Sequence, residues 1–293
     1  MTQDISQEGV RRTPLRTASR ARRPKLSLSI LMPAYNEDLT IVHAVESVLA
    51  QRYPCPIELV VVDDGSSSPV AQLLRHINDP RVMTFRHPVN LGKGAALRQA
   101  AALATGTHMV PFDADLEYDP ADLLPMLRPV LLGRCDVVYG TRMFGVNTSF
   151  QSYSHGLANR LMTLAANLTF DSHISDMHTC LKLMPLDLFR GLELRESGFG
   201  LDTELTARIL RAGLRPFEVP VSYHSRSRAQ GKKISWRDGL DCLRILGRVR
   251  RSPAGVLATV TDVKPDRVAP DVERNLQVLG STERQEAERI LVS

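Results

Sequence analysis

Four short segments of this 293-residue chain carry residue types suited to chemistry. Asp113-Ala114-Asp115-Leu116-Glu117 sets carboxylates at i, i+2 and i+4, hard oxygen ligands of the kind that hold Mg²⁺ or Mn²⁺, normally shared with substrate phosphates. Chance alone makes about one D-x-D triplet in a chain with this many aspartates, so position has to decide. The apolar run Met109-Val110-Pro111-Phe112 delivers the triplet to the end of a strand, where clustered carboxylates are costly without a cation. The competing use is to cap the helix that follows. Pro33-Ala34-Tyr35-Asn36-Glu37 and Asp63-Asp64-Gly65-Ser66-Ser67 end two further apolar runs. Asn90-Leu91-Gly92-Lys93-Gly94 opens a helix with glycines and a lysine, which suits a phosphate or other polar ligand group, or only a turn. It is not a dinucleotide fingerprint, because Leu97 stands where the third glycine belongs and the loop follows the third strand instead of the first.

The elements that must position these segments alternate between apolar runs and amphipathic stretches, the pattern of βαβ units and a mostly parallel sheet in a single α/β domain. Strands are expected at Leu28–Met32, Ile57–Val62, Arg81–Phe85, His108–Phe112 and Asp136–Tyr139, with helices at Leu39–Gln51, Val70–Ile77, Gly94–Ala104 and Ala121–Leu132. Past residue 150 the regularity fades. Helices are expected at Gly156–Leu168 and Leu201–Arg211, strands at Cys180–Met184 and Phe217–Val221, and a basic helix at Trp236–Arg250. Leu240, Leu243, Ile245 and Leu246 form the apolar stripe of that last helix, which packs on the domain or lies on a membrane. Ligands of an open parallel sheet bind beyond the carboxyl ends of its strands, so three polar or acidic clusters converge on one edge.

Composition narrows the function. With 43% hydrophobic and 24% charged residues the chain is globular, not disordered or fibrous. The net charge of +5 sits in residues 1–25, where seven basic side chains face Asp4 and Glu8. The rest is neutral, which argues against nucleic acid as a partner. This arm, expected to be disordered, is either a solubilising tail or an attraction to anionic headgroups. The scattered Cys55, Cys135, Cys180 and Cys242 read as reduced thiols, and with no apolar leader the expectation is a cytoplasmic protein. No apolar run is long enough to span a bilayer, so any membrane contact is expected to be peripheral.

Taken in order and spacing, the segments Ser27–Glu37, Glu58–Ser66, Asn90–Gly94 and Asp113–Asp115 resemble the inverting glycosyltransferases of family 2, which have a GT-A fold, a Rossmann-like sheet flanked by helices. Within that family the chain looks most like the polyprenyl- or dolichyl-phosphate sugar synthases, through Tyr139-Gly140-Thr141-Arg142, Ser175–Cys180 and Val219–His224 leading to Arg226 and Gly231-Lys232-Lys233. The resemblance covers about Ser27 to Arg250, within an expected domain at 26–250, leaving the arm at 1–25 and a tail at 251–293 with one short helical pattern.

The resemblance implies a metal-dependent transfer from a nucleotide-diphosphate sugar to a polyprenyl phosphate lipid. It implies a Mg²⁺ or Mn²⁺ site at Asp113 and Asp115, with Glu117 where relatives often carry a third ligand, and nucleotide-sugar contacts at Pro33, Ala34, Tyr35, Glu37, Asp64, Lys93 and Ala114. Arg142, Arg226 and Lys233 match basic residues near the acceptor, with Arg160 a further candidate. A lipid phosphate, with a second pKa of about 6, is already an oxyanion and needs cations more than a base. An acceptor hydroxyl needs a base instead, for which Asp202 and Asp176 are the candidates, Asp202 reading equally as a helix cap. His178 reads as a hydrogen-bonded structural residue. A non-catalytic nucleotide-binding scaffold stays open. A dehydrogenase is disfavoured by the failed glycine spacing, and a nucleotidyltransferase by the lack of a glycine-rich basic loop after the first strand.

Overall fold

A computed structural model describes residues 25–144, 148–149, 153–198, 200–225 and 236–252. The arm, the tail, Arg226 and Lys233 lie outside the described residues.

Strands β1 (Leu28–Ala34) and β2 (Ile57–Asp63) are nearly continuous apolar runs because both of their faces are covered. They pair in parallel from Leu28 opposite Ile57 to Ala34 opposite Asp63. With β3 (Val82–Arg86), β4 (His108–Pro111), β5 (Val138–Thr141), β7 (Lys182–Pro185) and β8 (Phe217–Pro220) they form one sheet in the order β3-β2-β1-β4-β7-β5-β8. All pairs are parallel except those of β7, which runs against both β4 and β5. A two-residue ladder joins β6 (Thr148–Ser149) to β9 (Tyr223–His224).

Alternation along β1 supplies two cores. Ile30 and Met32 point to α1 (Ile41–Ala50), α2 (Val70–Leu73) and α4 (Leu123–Leu131), while Leu31 points to α3 (Lys93–Leu103), α6 (Leu186–Gly191) and α7 (Gly200–Arg211). A third cluster holds α5 (Tyr153–Phe170), α7 and α8 (Trp236–Arg251) together through Ala166, Phe170, Ala207, Ile245, Leu246 and Val249. The basic helix therefore packs on the domain. Its expected stripe is split: Ile245 and Leu246 are buried with Cys242 and Val249, whereas Leu240 and Leu243 face outward.

Two expectations change. The helix from Val70 is one turn, ending at Leu73, and Asp79 grips Arg81 at 2.7 Å where the chain enters β3. The strand near Cys180 begins at Lys182 and runs antiparallel. Since β7 is reversed, the residues before it, Ser175 to Leu181, arrive at the edge that the other strands reach with their ends. No described helix is long and apolar enough to cross a membrane.

Candidate active site

The acidic loop after β4 does not act as one three-carboxylate cluster. Asp113 Oδ2 lies 2.7 Å from Lys93 Nζ, each side chain about a quarter exposed. Burial opposes the Lys93 charge, but Asp113, with Cys180 and Asp202 behind it, outweighs this and raises its pKa well above the ordinary lysine value. Asp115 Oδ1 accepts the Glu117 N–H at 3.1 Å across Leu116, which is left-handed at φ +62°. That conformation costs a branched L residue about 1–2 kcal/mol, strain of the kind that collects at functional loops. Ala114 is buried beneath the loop in the core.

Glu117, expected from the resemblance as a third metal ligand, faces inward in its side-chain hydrogen bonding. It is buried, and its Oε2 accepts from the Tyr223 hydroxyl at 2.6 Å while its carbonyl accepts the His224 N–H. Among the described residues no three His, Cys, Asp or Glu side chains are grouped to hold a metal ion. Asp113 and Asp115 remain as two partly exposed carboxylates, which fits Mg²⁺ or Mn²⁺, ions that take one or two protein carboxylates and fill their coordination with water and substrate phosphate.

The loops after β1 and β2 are laced together. Ser66 Oγ accepts from Asn36 N at 3.0 Å and Asn36 Oδ1 from Ser67 N at 2.9 Å, with Asn36 in the left-handed region that asparagine tolerates. Tyr35 is half exposed, Pro33 and Glu37 are intermediate, and Ala34 is buried in the strand. Asp64 is buried too. Its oxygens accept from Leu91 N at 3.0 Å and Gly92 N at 2.7 Å and meet His87 Nδ1 at 2.8 Å, so it shapes the Asn90–Gly94 loop.

That loop gives three of its backbone donors, Leu91, Gly92 and Gly94, to protein acceptors. Gly94 N donates to the Ser197 carbonyl at 2.7 Å, and a Cβ on Gly92 or Gly94 would collide with the Ser197 or Glu196 carbonyl. The glycines are therefore required by a close backbone approach, and the Lys93 ammonium is a charge this loop can offer to a ligand.

On the other half of the edge, Arg142 Nε and Nη2 grip Asp176 at 2.6 and 2.8 Å, with the guanidinium 4.8 Å from the Tyr223 ring centre. Glu117, Tyr223, Arg142 and Asp176 thus meet from four distant parts of the chain. Burial opposes ionisation of Asp176, but Arg142 and Asn159 more than offset it and lower its pKa to about 2, so Asp176 positions Arg142 and is a poor proton acceptor. Asp202 sits in the first turn of α7, not at its cap, and bonds Lys182 Nζ at 2.6 Å. Burial works to raise its pKa; Lys182 and Lys93 overcome that and lower it. A carboxylate so held is a weak base. Arg160 is exposed on α5.

Lys182, completely buried, was missed by motif reading. Its signal was its place between Leu181 and Leu183 in an apolar strand, since a buried ammonium requires a partner. Asn159 was missed as well. Its amide joins Asp176 Oδ1 at 2.9 Å to His178 Nδ1 at 2.9 Å, and His178 Nε2 meets Thr203 Oγ1 at 3.1 Å. His178 is thus fully hydrogen-bonded, and burial lowers its pKa from 6.5 to about 4.

A pH dependence follows from that shift. Between about pH 6.5 and 4 the unfolded chain binds a proton that the folded one refuses, so this contribution is complete above pH 6.5 and declines as pH falls, by roughly 3 kcal/mol at most. Denaturant titrations should show the decline in the parent and a flatter profile in His178→Gln; equal slopes would contradict it.

The family model described as Glycosyl transferase family 2 matches residues 29–192. Glycosyltransferase AglD of Haloferax volcanii is 27% identical over 209 residues, covering 69% of this chain and 34% of the relative. Low-salt glycan biosynthesis hexosyltransferase Agl6 of the same organism is 27% identical over 219 residues, covering 73% and 51%. The chain thus spans about a third to a half of the length of these curated relatives. Glucosyl-3-phosphoglycerate synthase from Mycobacterium tuberculosis superposes with TM-score 0.58 at 18% identity, covering 78% of this chain and 81% of that one. Mannosyl-3-phosphoglycerate synthase from Rubrobacter xylanophilus gives 0.58 at 17% identity, covering 76% and 73%. These superpositions establish the GT-A fold, the matched span takes in the segments from Pro33 to Lys182 that build the edge, and the chain therefore belongs to glycosyl transferase family 2.

Proposed function

We propose that the protein transfers one sugar, with inversion, from a nucleotide-diphosphate sugar to a polyprenyl phosphate at the cytosolic face of a membrane. The observation that carries this reading is that both candidate bases are committed to cations, Asp176 to Arg142 and Asp202 to Lys182. A hydroxyl acceptor needs a base that accepts its proton, whereas a phosphate monoester arrives as an oxyanion.

A divalent ion held by Asp113 and Asp115 would supply charge stabilisation to the leaving diphosphate. A Mycobacterium tuberculosis neighbour crystallised with Mn²⁺, UDP and glucosyl-3-phosphoglycerate supports such a requirement. Lys93 would add a second positive charge beside Asp113. Pro33, Ala34, Tyr35 and Glu37 would hold the base and ribose, with Asp64 acting through the loop it fixes. Arg142 spends two of its three nitrogens on Asp176, so it is pre-oriented, and Arg160, Arg226 and Lys233 would complete the acceptor's counter-charge.

A thin-layer assay with Mg²⁺ or Mn²⁺, a short polyprenyl phosphate and radiolabelled nucleotide sugars in parallel tests the reading. Label is expected in the organic phase with one donor. Free-sugar release without organic label would move the acceptor to a soluble molecule. Asp202→Asn, scored per folded protein because it also unpairs buried Lys182, separates the two chemistries: turnover should fall only a few-fold for a phosphate acceptor, and by about 10²–10⁴-fold if Asp202 is a general base.

A further inference from the structure

The outer faces of α5 and α8 combine exposed leucine with basic charge, and of their residues the site described above calls on Arg160 alone. On α5, Leu157, Leu161, Leu164 and Leu168 are 43%, 52%, 52% and 77% exposed, and Tyr153 begins the same line. At about 100° per residue these positions fall within an arc of roughly 80°, opposite the buried Thr163, Ala166 and Phe170. Leucines in such a line on a folded domain's outer surface mark an interaction site more than scattered exposure does. No acidic residue occurs in α5, and the stripe is bordered by exposed Arg160. On α8, which shares the third core cluster with α5, the outward Leu240 and Leu243 lie among exposed Arg244, Arg250 and Arg251.

We propose that this surface docks on an anionic lipid bilayer, with α5 lying along the interface. Exposed leucine flanked by arginine is the composition of interfacial helices, the apolar side chains entering the acyl boundary and the cations meeting headgroup phosphates. Charge decides against a second copy of the chain as the occupant: among the residues of these two helices whose side chains are described, Asp241 is the one exposed acid, so self-pairing sets arginine against arginine. The inner side of α5 carries Asn159, bonded to Asp176 and through it to Arg142. Docking would therefore hold Arg142 about one helix diameter, roughly 10 Å, from the lipid. The purpose of this surface rests on the lipid-acceptor reading above; its test does not.

The full chain is co-sedimented with vesicles of phosphatidylcholine alone and of phosphatidylcholine with phosphatidylglycerol. The parent is expected to partition onto the anionic vesicles, and Leu161→Gln/Leu164→Gln to lose at least about tenfold in partitioning with an unchanged melting temperature. Leu164→Trp gives an independent reading, since its added indole should be quenched by brominated lipid beyond the response of the parent's single Trp236. Equal sedimentation of parent and double variant, or no added quenching, overturns the proposal. So does a parent dimer in sedimentation velocity that the double variant abolishes, which would make the stripe a self-interface. Vesicle binding through the stripe without glycosylation of polyprenyl phosphate would leave the docking surface standing and remove the acceptor reading.

Discussion

Asp115→Asn should yield a folded protein whose sugar transfer is slower by on the order of 10³-fold, comparable with removing one well-placed group that stabilises transition-state charge. The substitution keeps the size and the acceptor oxygen that receives the Glu117 N–H, so the loop is expected to survive. What it removes is half of the negative charge that Asp113 and Asp115 would together bring to a divalent ion, with Glu117 turned to Tyr223. Asp115 is a cleaner probe than Asp113, whose replacement would also release Lys93 from its 2.7 Å contact. Circular dichroism checks the fold, and Mn²⁺-dependent protection against thermal unfolding in the presence of nucleoside diphosphate checks the ion directly. Full transfer by Asp115→Asn would remove the metal role from this loop.

The largest effect on stability is expected from Arg142→Ala, at roughly 3–5 kcal/mol, because it strands a completely buried carboxylate. In the parent the Asp176 pKa is lowered from 3.8 to about 2, so the pair's contribution is complete above pH 4 and is lost as pH falls towards 2. The sign reverses in the variant. Without Arg142 the dominant influence on Asp176 is burial, which raises its pKa, so Arg142→Ala should become less stable as pH rises through the carboxylate range. Arg142→Met combined with Asp176→Leu should recover much of the loss, since replacing both partners leaves no unpaired charge. Chemical denaturation of parent, single and double variants across pH measures all three expectations. A single variant as stable as the parent, or a double variant no better than the single, would mean that the pair has little to do with holding this edge.

Much of the architecture is legible in the residues themselves. Apolar runs such as Leu28–Met32 and Ile57–Val62 read as buried parallel strands because a strand covered on both faces needs no polar alternation. The loops carrying Tyr35, Asp64 and Asp113 read as one edge because parallel strands must end on the same side of a sheet. Residue type and position alone also single out Asp113 and Asp115, which the structure leaves as two partly exposed carboxylates.

Pairing was decided only in three dimensions. Spacing of i, i+2 and i+4 makes Glu117 look equivalent to its neighbours, yet the left-handed turn at Leu116 sends it into the core to meet Tyr223, more than a hundred residues away. Asp176 and Asp202 are candidate bases in a string of letters, and the fold pairs them with Arg142 and Lys182. The reversal of β7 brought Asp176 and Lys182 to the edge from the side that motif reading passes over. Local sequence determines which residues can form a strand and which can hold charge, because both are properties of a few neighbouring side chains. A carboxylate's partner, and with it the choice between base, ligand and support, depends on which distant chain segments share its low-dielectric surroundings, and only the tertiary fold specifies that.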